Sequence, residues 1–515
     1  MTKPKTLHFC WIAFPLILLV LLLPVTPALA QHAAGKPDSV DTWSAGPNLP
    51  TVVTRAVGVF FPANGKFYSM GGRTSDVQGS ELTNPLQYDP VANTWTIDMA
   101  VTYPDTITNN MACGVLTESG TPYIYCAGGS QVGTNLVTGR VFRYNPVTHT
   151  IATVAADWPA GATTLPGGFT VFSNNFYILG GFGNPPTGNS TNQIWEFTPS
   201  PAGWVLKSAQ IPDPLGLAYI PTATIGNRIY TGGGANIASG TLTDTTDSYV
   251  YNPVADTIST ITAIPRATSN TRALNVYGLM WVLGGGFPTP VNEVDIYNPY
   301  CNAWTVGTPF VNARRNFPTD TDGVSRVWLA GGYVNAVPDM SMEIDAFPKV
   351  LSAASRRVHG GAGTFDVPLP LNGPTGIECR TGPNYQIVVN FATSVTVGSA
   401  SVTCGTGSVG SISGNGTSTI AVNLTGVTDV QRITVTLANV TDGTNTGDIP
   451  VSMGVLVGDT TANGVVNAGD VSQTKSQSGQ TVTNSNFRED VNASGTISST
   501  DVAIVKSDVG TALPP

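Results

Sequence analysis

Apolar positions along the chain recur in short runs that end on two glycines. Lys66-Phe67-Tyr68-Ser69-Met70 runs into Gly71-Gly72, and the same shape returns before Gly128-Gly129, Gly180-Gly181, Gly232-Gly233, Gly284-Gly285 and Gly331-Gly332. From the first glycine of one pair to the next, the steps are 57, 52, 52, 52 and 47 residues. A period near 50 residues marks a repeat architecture. Within each repeat the pattern predicts four strands. A lead-in such as Ala56-Val57-Gly58-Val59-Phe60 comes first, then the Gly-Gly strand, a variable stretch, a third strand closing on an aromatic-x-Pro, and a fourth carrying Trp or Ile. The last join is the most regular. Tyr88 to Trp95, Tyr144 to Ile151, Phe197 to Trp204, Tyr251 to Ile258 and Tyr297 to Trp304 are all seven residues apart, with Pro two after the aromatic. Pro presets φ for the turn, and a preceding Asx side chain can close it.

Six Gly-Gly strands face only five such joins. The sixth repeat runs through Met342-Glu343-Ile344-Asp345-Ala346-Phe347 and has no fourth strand after it. Val40-Asp41-Thr42-Trp43, followed by Gly46-Pro47-Asn48-Leu49-Pro50, has the missing strand's character at the other end of the repeats. Residues 41–50 are therefore expected to complete the sixth sheet, which would remove free strand edges. On these Gly-Gly strands and Tyr/Phe-x-Pro turns, residues 41–350 resemble kelch repeats, with Ile151 and Ile258 standing where that pattern commonly has Trp. The resemblance implies a six-bladed β-propeller. The unrepeated stretches 73–83, 130–140, 182–192 and 235–246 would then be free to bind a glycan or a protein.

After Arg356-Arg357-Val358-His359-Gly360-Gly361 the style changes to alternating Thr, Val and Ser. Strands are expected at 385–391, 395–403, 419–424 and 431–437, the spacing of an Ig-like β-sandwich over 351–455. Gly405-Thr406-Gly407-Ser408-Val409-Gly410 fits a Gly-x-Gly-x-x-Gly string, but no helix or βαβ unit surrounds it, so it carries no nucleotide reading.

The clearest chemistry lies in 456–515. Asp459, Thr461, Asn463, Asn467 and Asp470 place side-chain oxygens at positions 1, 3, 5, 9 and 12 of a loop with Gly464 at position 6. Asp490, Asn492, Ser494, Ser498 and Asp501, with Gly495, repeat the pattern 31 residues later. A hard Ca²⁺ ion wants six to eight oxygens, which such a loop supplies from side chains, the position-7 carbonyl and water. The pair resembles the two calcium loops of a type I dockerin. That resemblance implies two Ca²⁺ sites, with Val465 and Thr496 giving the position-7 carbonyls, and one helix after each loop. Two carboxylates per loop imply weak affinity, toward the extracellular millimolar range. Dockerins bind cohesins partly through loop positions 10 and 11, which are Ala468-Gly469 and Ser499-Thr500 here. A cohesin-like partner and an internal clamp on the sandwich are both compatible with this.

Composition narrows the function classes. Lys3 and Lys5, the apolar run from Phe9 to Leu23 and Ala28-Leu29-Ala30 make residues 1–30 a secretory signal peptide cleaved near Ala30, followed by a leader at 31–40. Cleavage removes two lysines and moves the formal charge from −9 to −11. An acidic chain without a basic cluster argues against nucleic acid, and no later segment would insert into a membrane. Export permits disulfides. Cys113 and Cys126 fall opposite each other across the turn at 118–121, either bridged or packed as small core residues. Cys379 and Cys404 are expected to bridge within the sandwich, worth about 3 kcal/mol, leaving Cys301 over.

No catalytic constellation emerges. His8 leaves with the signal, and His32, His149 and His359 are scattered, too few for a copper-oxidase site of the galactose oxidase kind. There is no zinc helix and no nucleophile elbow. Arg272, Arg314 and Arg315 lie where first strands begin, and could either hold an anionic sugar or form rim salt bridges. The leading expectation is a secreted, non-catalytic recognition protein. The rival is an extracellular carbohydrate-active enzyme in polysaccharide catabolism, which needs only a pair of carboxylates.

Overall fold

The computed structural model describes Met1 and residues 43–134, 136–183 and 188–514. The expected signal peptide and leader, and positions 41–42, lie outside the described residues apart from Met1. All other described residues belong to one compact unit, Ser39–Pro515. It is mainly β, with two α-helices near its C-terminal end.

Six four-stranded antiparallel sheets follow one another along the chain. The first is Val57–Phe61, Lys66–Met70, Leu86–Asp89 and Thr94–Ile97, in that order. The next four repeat this meander, and in each the Gly-Gly strand lies second. In the sixth, Thr319–Thr321, Arg326–Ala330 and Met342–Ala346 are joined by Ser44–Gly46, with Ser44 opposite Ile344. Trp43 beside it is buried, donates its indole N–H to the Thr308 carbonyl at 3.1 Å and meets Phe310 edge-on. The first strands of consecutive sheets pack against each other, and Thr319–Thr321 returns against Val57–Phe61, so the contacts close a cycle.

The glycine pairs explain how neighbouring sheets approach. A Cβ at Gly71 would lie 2.4 Å from the Thr108 carbonyl oxygen, in the segment that enters the second sheet, and Gly72 N–H donates to that same oxygen at 3.0 Å. The last pair repeats the contact across the closure, with Gly332 donating to the Val53 carbonyl at 2.7 Å. In the fourth sheet the equivalent pair is Gly233-Gly234, one residue later than the sequence pattern suggests. Gly232 stays in the strand, and the ladder skips a residue between Gly232 and Gly234.

Residues 235–246, expected as a loop, instead extend the hairpin, with Ala235 opposite Asp244 and Ala238 opposite Thr241. Alternating Thr241, Thr243 and Thr245 suit a strand. Of the stretch 182–192, residues 184–187 lie outside the described set.

Beyond the sixth sheet, two further sheets pack over a shared core. One has five strands (Gly363–Pro368, Val350–His359, Tyr385–Val395, Thr417–Thr425, Ser408–Ser413). The other has four: Ile377–Glu378, Thr446–Val455, Gln431–Thr441 and Ser399–Cys404. Alternate residues Ile387, Val389, Val422, Val435, Leu437 and Val451 fill the space between them. The same cluster runs on through Phe347 to Trp281 of the fifth repeat sheet, whose ring centroids are 5.7 Å apart.

Cys113 and Cys126 are directly opposed and bonded. The expected Cys379–Cys404 bridge is not formed: Cys404 bonds Cys301, and Cys379 is a buried thiol. The reason is sheet order. Cys379 follows the strand at one edge of the four-stranded sheet and Cys404 ends the strand at the other, with two strands between them. Three strand spacings of about 4.8 Å exceed the roughly 7 Å that a bridge can span. Cys301, in the last turn of the fifth repeat sheet, lies next to that edge instead.

Candidate metal centre

The two 12-residue loops each end in the first turn of a helix. Helix α1 is Ala468–Gln477, capped by Asn467, and α2 is Ser499–Ser507, capped by Ser498. Asp470 and Asp501 complete capping boxes from the third helical position. The final acidic residue of each loop thus holds the loop closed and starts the helix.

Asp459, Asp470, Asp490 and Asp501 are all fully buried. In the first loop Asp459 accepts backbone N–H groups from Asn463 at 3.1 Å and Gly464 at 2.8 Å. Asp470 accepts the Thr461 N–H at 2.9 Å and its hydroxyl at 2.8 Å, and that hydroxyl oxygen lies 3.4 Å from Asp459. Positions 1, 3 and 12 therefore converge. In the second loop Asp490 accepts from Ser494 and Gly495, the Ser494 hydroxyl lies 3.2 Å from the Thr496 carbonyl oxygen, and Asp501 accepts from Asn492 and Ser498. Here positions 1, 5 and 7 converge. The outer loop oxygens of Asn463 and Asn467 stay on the loop, accepting the N–H groups of Val465 and Gly469.

Burial pushes the Asp459 pKa up, and the Asp470 carboxylate adds to this against the N–H groups of Gly464 and Asn463. Two desolvated carboxylates among neutral oxygens form a site that a hard cation would relieve. Every inward group is an oxygen, which fits Ca²⁺ rather than a softer metal. Gly464 and Gly495 take φ of +85° and +91° at the sharp sixth position.

The second loop has a neighbour that sequence reading missed. His359, one of the scattered histidines of the sequence, ends the Val350–His359 strand and is fully buried. Its Nδ1 lies 2.8 Å from Asp490 Oδ2, and its Nε2 lies 3.1 Å from Nη1 of Arg380. Arg380 can only donate, so Nε2 accepts and Nδ1 carries the proton given to Asp490. Arg380 in turn forks onto Glu378 at 2.6 and 2.7 Å, and both are fully buried. Arg488 anchors the first loop, donating to the carbonyls of Asp459, Thr460 and Ile377. Pairings over 100 residues apart leave no local signal; only the lone His before Gly360-Gly361 could have hinted at one.

The other residues singled out from sequence scatter. His149, in a turn of the second repeat sheet, pairs with Asp98, which follows the last strand of the first sheet and also accepts the Tyr144 hydroxyl. Arg314 is buried and paired with Glu343 at 2.6 Å, a structural role. No helix among the described residues is long and apolar enough to cross a membrane.

No curated protein matches the chain. Residues 457–510 match the dockerin type I domain. Such domains bind calcium through EF-hand-like loops, so Ca²⁺ is the cofactor of this segment, and they imply a cohesin partner in an extracellular setting.

Proposed function

We propose that this is a secreted, non-catalytic recognition protein that docks through its C-terminal calcium loops. In this reading residues 41–350 are a six-bladed kelch β-propeller, 351–455 an Ig-like β-sandwich and 456–515 the docking domain. The cyclic contact of six four-stranded sheets supports the first assignment. Ca²⁺ is held in one loop by Asp459, Thr461, Asn463, Asn467, Asp470 and the Val465 carbonyl. In the other it is held by Asp490, Asn492, Ser494, Ser498, Asp501 and the Thr496 carbonyl. The observation that carries the reading is the doubled loop with buried Asp at each end, at the head of helices whose first turns expose Ala468-Gly469 and Ser499-Thr500. Those pairs are exposed and open to a cohesin-type partner.

The test uses the whole exported chain. Calcium should raise the melting temperature of the C-terminal region, and EDTA should abolish binding to an immobilised cohesin. Asp470→Ala should do the same at equal calcium. Melting and docking that ignore EDTA would overturn the assignment. A glycan array run beside a reducing-sugar assay tests the recognition half, where sugar release would replace binding by catalysis.

A further inference from the structure

The entrances to the first strands carry an unusual set of residues. Arg55, Asn110, Tyr219, Asn270 and Asn316 each sit two or three positions before a first strand, and each has a positive φ between 49° and 59°. Non-glycine residues adopt this region seldom, and five equivalent instances around one opening place strain where a ligand site would be. Arg55, Asn110 and Tyr219 border a cavity of about 240 Å³, lined also by Arg73, Phe182 and Thr134, and all five border a smaller one of about 60 Å³ that also has Arg272 in its wall.

Positive charge collects here in a chain whose formal net charge is −9. Arg272 and Arg315 make no side-chain hydrogen bond and no ion pair among the described residues. Arg272 lies over the Phe169 ring at 3.9 Å, and Arg315 over Phe287 at 4.8 Å and Tyr333 at 5.4 Å. Nε and Nη1 of Arg272 and Nε of Arg315 are sealed from solvent without an acceptor. Arg55 forms no ion pair among the described residues; it donates to neutral groups, Asn110 at 3.3 Å and the Tyr219 hydroxyl at 3.1 Å, with the Tyr333 hydroxyl also acting on it. The nearby carboxylates make no hydrogen bond to Arg55, Arg272 or Arg315: Asp76 is bonded by Arg73 and Tyr333, Asp244 by Ser269 and the Phe287 N–H, and Asp320 by the Phe60 N–H. Desolvated guanidiniums without acceptors are costly, and such groups concentrate at binding sites. Burial pushes the Arg272 guanidinium down to about 10, which Asp320 only partly offsets.

The excess is of donors, so the missing partner is an acceptor with negative charge, and a carboxylate matches a guanidinium fork. One neutral acceptor is also left over: Asn316 Oδ1 is buried without a donor. A hydroxyl beside the carboxylate would satisfy it. Aromatic faces at Phe182 and Tyr219 supply flat apolar walls. The volume falls below the ~300–1,000 Å³ of pockets that enclose drug-sized ligands, leaving room for a single ring.

We propose that this arginine-lined opening binds a carboxylated sugar, a uronic-acid unit. The proposal deepens the recognition reading above by naming its ligand class. Calorimetry on the full chain with D-glucuronate and D-galacturonate should show saturable binding, weakened about tenfold or more by Arg315→Gln and by Arg55→Gln. Glucose, galactose, acetate and an N-acetyl-glutamate amide should bind at least tenfold more weakly than the uronates. The calcium-induced melting shift should be unchanged in both variants, which shows that they fold. Equal binding of neutral sugars, of acetate or of the glutamate amide would overturn the proposal, as would uronate binding indifferent to both variants or no uronate binding at all. Should neutral glycans still bind the array while uronates do not, the recognition reading stands and this inference alone fails.

Discussion

Replacing Arg380 by methionine is the sharpest test of how the C-terminal segment is held. Methionine keeps most of the apolar stem but removes the fork onto Glu378. Burial pushes the Glu378 pKa up, yet Arg380 outweighs this and holds it below the usual carboxylate value. Without Arg380 a fully buried carboxylate keeps only the Ser355 hydroxyl and the Arg380 main-chain N–H as donors. Breaking such a pair costs about 3–5 kcal/mol. The Phe365 and Ser355 carbonyls also lose the donors they have at 3.0 and 2.9 Å, at about 1 kcal/mol each. The expected total is about 5 kcal/mol or more. Glu378→Gln added to Arg380→Met removes the stranded charge and should recover about half. All nine tryptophans precede residue 350, so indole fluorescence does not report on this region. Hydrogen exchange in saturating calcium, followed on peptides covering 377–395 and 487–501, does. The sign with pH follows from the lowered pKa: the wild-type contribution is present above the free carboxylate value and lost as pH falls through the folded one. A single variant within 1 kcal/mol of wild type, or a double variant no better than the single, would refute the reasoning.

Trp43→Ala should cost about 3–5 kcal/mol, read by urea unfolding, because it empties a buried site and removes the Thr308 bond; a loss under 1 kcal/mol would mean that the N-terminal strand does not close the sixth sheet. Burial raises the Asp320 pKa to about 6, against the Phe60 N–H and Arg272, so its charge weakens the fold above that pH and not below about 4. Asp320→Asn should therefore stabilise by about 3 kcal/mol at pH 8, with the gain vanishing by pH 4; parallel stability–pH curves would contradict this. Cys301→Ser should lower stability by about 4–5 kcal/mol, since the bridge closes a separation of 103 residues, whereas Cys379→Ser should leave both bridges intact in a non-reducing peptide map.

The repeat sheets were legible because their signal is local. A Gly pair followed by an aromatic-x-Pro turn is written within one sheet, and it recurs because each sheet meets the next in the same way. The one-residue slip at Gly232 comes from a third consecutive glycine, which leaves the pattern unable to say where the ladder breaks. The calcium loops were legible for a similar reason, since ligand spacing is set by one tight turn. What stayed hidden depends on strand order. Cys301 and Cys379 differ only in which sheet edge they reach, and no spacing encodes that. Arg272 and Arg315 read as ordinary strand-entry arginines, because the absence of a partner is visible only once every neighbour is placed.

The two readings of the calcium segment, a docking module and a clamp on the sandwich, use different residues of it. Loop one is tied to the sandwich through Arg488, and loop two through His359 and Asp490. A Cβ on Gly360 would lie 2.1 Å from the Ser494 carbonyl oxygen, so the second loop sits directly on the His359-Gly360 turn. The exposed positions at the helix starts lie outside these contacts. A partner bound there would hold the sandwich with little freedom, and through the Cys301–Cys404 bridge it would hold the fifth repeat sheet as well. A dockerin joined by a flexible linker would let its cargo swing. Here the contacts fix the orientation of the arginine-lined opening relative to whatever the calcium loops engage.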